Sequence, residues 1–232
     1  MRLLVLDTET TGLPKSKFIS PYTLHLWPNI VQFSFIIYDT DLNKNVEMYD
    51  YIIKMKHGVI IPEESINIHG ITNEDSALRG VELEGVFDEF FYYLQTVDKL
   101  IGHNISFDIN MIRIELLRII DSNKNLSSEE LKLYKQKLHY ITSFDKISCT
   151  LQDSITLCNI TAVNKFGKTY LKYPQLSELH KKLFDTEPNH LHNSLYDIIV
   201  TLRCFLKMKF DVDLLDFKDE KYDYIYDTIF TN

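Results

Sequence analysis

The sequence predicts an α/β chain built on a mixed five-stranded sheet flanked by helices. Two observations carry that expectation. Three strand-like runs come first, the second and third joined by a short turn, and later strands alternate with helical patterns. At 232 residues, 45% hydrophobic and 12% aromatic, the chain has enough apolar material for one large packed domain or two small ones.

Residues 3–6 are an apolar run of strand formers that ends in two acids, Asp7 and Glu9, within LDTETTG. Residues 29–40 (NIVQFSFIIYDT) read as a second strand and 46–54 (VEMYDYIIK) as a third, with hairpin composition between them. The connection from Gly12 to Pro28 holds three prolines and one tryptophan and reads as an ordered loop. Val86, Phe87, Phe90, Phe91 and Leu94 then fall at helical spacing. Residues 98–104 form a short strand, and Ile105, Ile109, Ile112, Leu116 and Leu117 mark an amphipathic helix after it. Residues 127–141 are a more polar helix opened by a capping box from Ser127 to Glu130. A strand near 146–150 precedes a short helix. Pro174 opens a helix containing Leu176, Leu179 and Leu183, and the last clear helix runs from about 194 to 209. Residues 1–210 are expected to be one domain, with 211–232 as an acidic, aromatic appendage.

A net charge of −8 argues against a passive basic coat for nucleic acid, so any such contact is expected to be local and assisted by metal ions. Cys149, Cys158 and Cys204 are odd in number and lack CxxC spacing, against both a disulfide framework and a zinc site. No apolar stretch approaches a membrane span, and the chain opens in a strand without a signal-peptide pattern. An intracellular, cytoplasmic protein with no membrane association is therefore expected.

Asp7 and Glu9 stand two apart in a strand and so aim two negative charges at one face. That arrangement costs free energy unless a cation, a hydrogen-bond network or bulk water compensates. Two later segments, HNISFD (103–108) and HNSLYD (192–197), each place an acid just inside a helix. Singly, each residue has an ordinary role available. Asp7 and Glu9 suit solvated acids just past a strand end, and Asp108 suits the positive end of a helix dipole. Asp197 has capping-box spacing from Ser194, and His192 suits a loop. Together, four carboxylates and one histidine share a single cause: hard divalent cations prefer carboxylate oxygens. Two such ions roughly 3.5–4 Å apart clamp the attacking and leaving oxygens of a phosphodiester.

In this order, DxE on a first strand, HNxxFD and H-x4-D resemble the DEDDh 3′–5′ exonucleases, the proofreading-exonuclease superfamily with a ribonuclease-H-like fold. DTETTGLP, WPNIVQFSF, INIHGIT and KYPQLSELHKKLF are similar to further segments of that family, and the resemblance spans residues 2–208. The histidine five positions before Asp197 selects His192 over His190 and the DEDDh branch over the tyrosine-containing one. The chain departs from the family in an extended 15–28 loop, a polar helical stretch between 121 and 144, and the acidic tail.

The resemblance implies two magnesium ions (Mg²⁺), with Mn²⁺ able to substitute. Asp7 would bridge both ions, Glu9 and Asp197 would hold the one that activates water, and Asp108 would hold the other, largely through water. His192 would be the general base, a task suited to an imidazole near neutral pH. Nucleoside 5′-monophosphates would leave single-stranded or frayed 3′ ends, of DNA in the first instance, with a DNA polymerase as a possible partner. Backbone groups around Thr10 and Thr11 would meet the terminal nucleotide and Leu13 would press on the terminal bases. His69, His103, Asn104 and Phe107 would line the pocket. Ordinary roles stand beside these: loop packing for Leu13, core for Phe107, a helix cap for Asn104. Lys132, Lys135 and Lys137 are expected to form a solvated helix face, and Lys165, Lys168 and Lys172 are available to guide a strand. Two other readings stay open: an RNA-trimming enzyme on the same scaffold, and a non-catalytic nucleic-acid-binding or polymerase-accessory module.

Overall fold

A computed structural model describes residues 1–122 and 126–231. Its main sheet has five strands: β1 (Arg2–Thr10), β2 (Ile30–Asp39), β3 (Lys44–Ile52), β4 (Lys99–Gly102) and β5 (Ile147–Cys149). Their spatial order is β3-β2-β1-β4-β5. The first three pair antiparallel, and β4 and β5 run parallel to β1. This is the mixed sheet expected from the sequence, with β1 at its centre.

One boundary differs in a way that matters. β1 does not stop at Leu6. It continues through both acids to Thr10, paired with β2 as far as Ile30. Asp7 and Glu9 therefore lie inside the central strand, not in a solvated loop beyond it. The β-branched Thr8 and Thr10 favour the extended chain, and the ten-residue β2 supplies a partner along the whole length.

Alternation along β1 divides the core. Leu4 and Leu6 point to one face and pack with Phe33, Phe35, Phe87 and Phe90. Leu3 and Val5 point to the other and pack with Ile36, Ile198, Leu202 and Phe205. The first face is covered by α3 (Leu83–Leu94), α4 (Ile105–Asp121) and α5 (Ser128–Ser143), the second by α8 (Leu176–Phe184) and α9 (Ser194–Phe210). Phe90 meets Phe33 and Phe35 edge-on at 5.3 and 5.7 Å, the geometry aromatic quadrupoles prefer. Each such fully buried side chain contributes roughly 1.5–3 kcal/mol.

Several short elements carry too little periodicity to be read from sequence. Helices α1 (Glu63–His69) and α2 (Asn73–Arg79) have seven residues each. The short helix expected after β5 is present as two four-residue pieces, α6 (Thr150–Asp153) and α7 (Ile155–Cys158). Strands β6 (Thr161–Val163) and β7 (Thr169–Leu171) form a separate antiparallel hairpin. The 11–29 connection is ordered, as expected, and contains a 3₁₀ helix, Pro21–Leu26. Arg118 fastens it to α4, donating to the carbonyls of Leu24 (2.8 Å), Trp27 (2.5 Å) and Pro28 (2.8 Å) while pairing with Glu115 (2.7 Å).

The α5 lysines divide. Lys132 and Lys135 are solvent-exposed, but Lys137 is buried, paired with Asp88 and set over the rings of Phe91 and Tyr134. The solvated-face expectation fails for Lys137 because its amphipathic stem covers aromatic surface. Beyond α9, helix α10 (Asp223–Phe230) sends Ile225, Tyr226 and Ile229 into the same core as α9. The Arg203 guanidinium lies between the Phe184 and Phe230 rings and makes two 2.7 Å bonds to Asp213. Residues 211–231 are thus joined to α8 and α9 by both apolar and charged contacts.

Candidate active site

Asp7 lies opposite Ser34 and Glu9 opposite Gln32 on β2, so these four polar residues share the face of the sheet that α9 covers. β2 grips the start of α9 through them. The Ser194 backbone N–H donates to Gln32 Oε1 (3.1 Å), and Ser194 Oγ lies 2.5 Å from Ser34 Oγ. Ser34 spends its single proton on Asp50 (2.7 Å), so Ser194 is the donor between the two hydroxyls. Asn193 caps the helix by accepting from the Leu195 N–H (3.1 Å). The Ser194–Asp197 capping box does not form. Ser194 is inside the helix, and Asp197 is delivered over Asp7 and Glu9.

Asp108 arrives from the opposite face of the sheet, in the first turn of α4. Gly102 lets α4 turn that close. A Cβ there would lie 3.0 Å from the Leu6 carbonyl and 2.7 Å from the end of the Ile105 side chain. Thr8 Oγ1 donates to Asp108 Oδ1 (2.8 Å) and fixes the carboxylate.

His192 closes the set. Its backbone is left-handed (φ 70°), a conformation that costs a non-glycine residue on the order of 1 kcal/mol. That turn lets its N–H donate to Asp197 Oδ2 (3.2 Å). One ligand atom from each of Glu9, His192 and Asp197 lies within 4.8 Å of the others.

The electrostatics are unfavourable by themselves. Among the described residues, no lysine or arginine forms an ion pair with Asp7, Glu9, Asp108 or Asp197. Burial pushes Asp7 up to about 7, and burial plus the Asp7 charge pushes Glu9 up to about 8. Asp108 is raised by burial and then by Asp7, against the opposing Thr8 hydrogen bond. Asp197 is raised by burial, Asp7 and Glu9, against the His192 N–H. Asp197 Oδ1 is buried with no hydrogen-bond partner. An all-oxygen donor set, an orphaned carboxylate oxygen and clustered uncompensated acids fit hard divalent cations.

Asp7, His103, Asn104, Tyr173, Pro174, Leu191, His192 and Asp197 line a cleft of about 370 Å³. A groove of about 570 Å³ on α5, lined by Lys132, Lys135, His139 and Tyr140, is larger but holds no such cluster. Chemistry, not size, selects the first.

The expected substrate contacts separate. Leu13 is 82% exposed, which rules out loop packing. Asn104 is exposed on the cleft with a left-handed backbone; it sits at the N-cap of α4 without a side-chain capping bond. Phe107 packs against the first core and is absent from the cleft lining, so its core role prevails. His103 edges the cleft, but both ring nitrogens are engaged, with Thr150 Oγ1 (3.0 Å) and the Pro174 carbonyl (3.1 Å). Burial pushes His103 down to about 4, so the ring is neutral: Nε2 donates to Pro174 and Nδ1 accepts from Thr150. It ties β4 to the cleft wall. His69 is buried beside Thr10, accepts from the Ile71 N–H through Nδ1 (3.1 Å), and leaves Nε2 without a hydrogen-bond partner. The Thr10 hydroxyl donates to Gly12 O (2.7 Å) and the Thr11 hydroxyl accepts from Asn29 N (2.9 Å), so both shape the loop.

The sequence reading missed Thr8, Gln32, Ser34 and Thr150. For Gln32 and Ser34 a signal existed: two polar residues spaced i, i+2 in an otherwise apolar strand.

A family model described as RNase_T, exonuclease, matches residues 4–205. The chain belongs to this exonuclease family. The family is one of 3′–5′ exonucleases of the DEDDh type. No curated protein matches the sequence. Among solved structures, the RNase_T chain shares its fold with E. coli exonuclease I in complex with a dT13 oligonucleotide. That match has a TM-score of 0.58 and 17% identity, over 97% of this chain and 43% of that one. Exonuclease I from Methylocaldum szegediense gives 0.57 and 20%, over 93% and 42%. The zinc-bound form of the E. coli exonuclease I–ssDNA complex gives 0.56 and 17%, over 93% and 42%. The chain spans less than half the length of these structures.

Proposed function

We propose that the chain is a divalent-metal-dependent 3′–5′ exonuclease that removes nucleoside 5′-monophosphates from single-stranded or frayed 3′ ends of DNA. One observation carries this reading: four carboxylates from three separate elements converge with no lysine or arginine paired to them among the described residues, and a histidine stands at their edge. Asp7, on the central strand of the sheet, would be a ligand shared by the metal ions. Glu9 and Asp197 lie on the His192 side and would hold a metal ion there. Asp108, oriented by Thr8, serves the other. Bound Mg²⁺, or Mn²⁺ in its place, supplies charge for the departing 3′ oxygen and makes water more acidic. His192, exposed on the cleft, takes the proton from that water at a ring nitrogen. Leu13, exposed beyond the end of β1, meets the terminal bases, and Asn104 faces the terminal nucleotide. The dT13 and dA16 oligonucleotides held by E. coli exonuclease I support single-stranded DNA as the first substrate to test. Three cysteines without a disulfide favour an intracellular setting.

The test is a panel of 5′-labelled single-stranded DNA, mismatched duplex and short RNA, each with Mg²⁺, Mn²⁺ or chelator. Stepwise shortening of DNA from the 3′ end with Mg²⁺, and none with chelator, is expected. Faster trimming of RNA would replace DNA as the substrate. No metal-dependent shortening of any substrate would sink the enzyme reading.

A further inference from the structure

Residues 154–177 hold three lysines and no aspartate or glutamate, in a chain whose net charge is −8. Hairpin β6–β7 lies within this acid-free run, and all six of its strand positions are at least partly open to solvent on an extended ladder of three residue pairs. Its turn is tightly held. Asn164 Oδ1 accepts from the N–H groups of Phe166 (2.9 Å) and Lys168 (3.0 Å), and the Gly167 N–H donates to the Asn164 carbonyl (2.9 Å). Gly167 has φ 76°, which a side chain would strain. This ordered turn displays Phe166 at 82% exposure with the Lys165 ammonium 5.1 Å from its ring centre. Tyr170, 47% exposed, and Tyr173, 62% exposed, follow towards the cleft. Lys172 is taken up by Glu178 (2.6 Å), whereas Lys165 and Lys168 form no ion pair among the described residues.

The hairpin is continuous with the catalytic cleft. β7 runs directly into Tyr173 and Pro174, which line it beside Asp7 and His192, and His103 pins the Pro174 carbonyl. From Tyr173 back to Lys168 is five residues, at most on the order of 17 Å of extended chain. That length is enough for the tip to lie beyond one nucleotide held in the cleft.

We infer that hairpin β6–β7 is a guide for the single strand behind the 3′ end: Lys165 and Lys168 hold its phosphates and Phe166 stacks on a base several nucleotides from the cleavage point. Free cations, an exposed aromatic ring and a preformed turn are what sequence-tolerant binding of a single strand needs. The inference rests on the exonuclease reading for its substrate, and the two fail separately in one experiment. Full-length wild type, K165A/K168A and F166A are compared on dT3 and dT20 turnover. Binding of dT20 and of an abasic 20-mer is followed by fluorescence anisotropy in chelator, from 25 to 150 mM salt. K165A/K168A is expected to flatten the log–log salt slope for dT20 by about 1.4, from roughly 0.7 per phosphate contact. F166A is expected to weaken dT20 binding by roughly 5- to 100-fold and abasic binding by far less. Turnover of dT3 is expected to stay within about twofold of wild type. Unchanged dT20 affinity and salt slope in all variants would overturn the guide, even with full exonuclease activity, and would leave the hairpin to a protein partner. Equal loss for dT20 and the abasic strand in F166A would overturn the stacking contact. Absence of turnover in wild type would defeat the exonuclease reading while the anisotropy still decides the hairpin.

Discussion

Metal-free protein should lose stability as pH rises, and Asp7→Asn should reduce that loss. Asp7 titrates near 3.8 in an unfolded chain and at about 7 in the folded one, because burial disfavours its charge. Between those values the folded state binds more protons than the unfolded state, so unfolding free energy falls with increasing pH. The stabilisation is complete below pH 4 and gone above pH 7. The interval corresponds to at most roughly 4 kcal/mol. For a domain of this size that is an upper bound of roughly 8–16 °C in Tm. Glu9, raised to about 8, extends the loss towards alkaline pH. Divalent metal acts in the opposite direction, binding the ionised carboxylates and adding about 2.7 kcal/mol at 100 times its Kd. Since protons compete for the same oxygens, the metal-induced gain should grow from pH 6 to pH 8. The assay is a thermal melt in chelator and in Mg²⁺ at half-unit pH intervals, for wild type and Asp7→Asn. Asn removes one charge without emptying the site, so the chelator curve should rise at pH 8 and lose part of its slope, Glu9 keeping the remainder, and the Mg²⁺ gain should largely vanish. A chelator curve flat from pH 5 to 8, or a full Mg²⁺ gain surviving in Asp7→Asn, would refute the account.

Three further substitutions probe separate parts of the site. His192→Ala should abolish most turnover, by at least 10²-fold, yet keep most of the Mg²⁺-induced Tm gain. Loss of that gain would make His192 a metal ligand, a role its distance from Glu9 and Asp197 also permits. Gln32→Leu leaves the buried Ser194 N–H without its acceptor, and should cost about 1–3 kcal/mol in denaturant unfolding. It should also lower kcat more than it raises KM, because Asp197 shifts while the substrate cleft stays. Arg118→Ala removes three carbonyl contacts and strands the buried Glu115 carboxylate. A loss of about 3–5 kcal/mol is expected, with faster proteolysis within residues 11–29.

The chemistry was legible in the sequence because it resides in residue types at fixed short spacings. HNISFD and HNSLYD kept their acids at helix starts, and the order of motifs gave the sheet its sense. What sequence hid is of another kind. Asp and Glu are poor strand formers, so local propensity ends β1 at Leu6, whereas pairing with β2 carries it to Thr10. The burial of Lys137 depends on where Asp88 and Phe91 of α3 lie, and no pattern within α5 contains that. His103 stands in a motif with Asp108, yet its nitrogens serve Thr150 and Pro174, residues 47 and 71 positions away. Gln32 and Ser34 were visible as polar interruptions, but their partner on α9 is 160 positions distant in the chain.

The position of the acids within β1 changes how their repulsion should be understood. Acids in a solvated loop separate at little cost, so a metal binding there would have to order them. Here each carboxylate is anchored by contacts that do not involve the metal. Backbone pairing with β2 fixes Asp7 and Glu9, Thr8 orients Asp108, and the Gln32–Ser194 and Ser34–Ser194 bonds seat the helix that carries Asp197. The charges cannot relax apart, so they take up protons instead, which is what the raised values of Asp7 and Glu9 express. Metal binding then exchanges protons for cations in a site that is already shaped, and the folding free energy of two hydrophobic cores holds the geometry. Affinity should accordingly respond to pH more steeply than to mutations that loosen the surface, and Gln32→Leu should weaken metal binding although Gln32 touches no metal. That effect should be largest at pH 6, where protons compete most strongly with the cation.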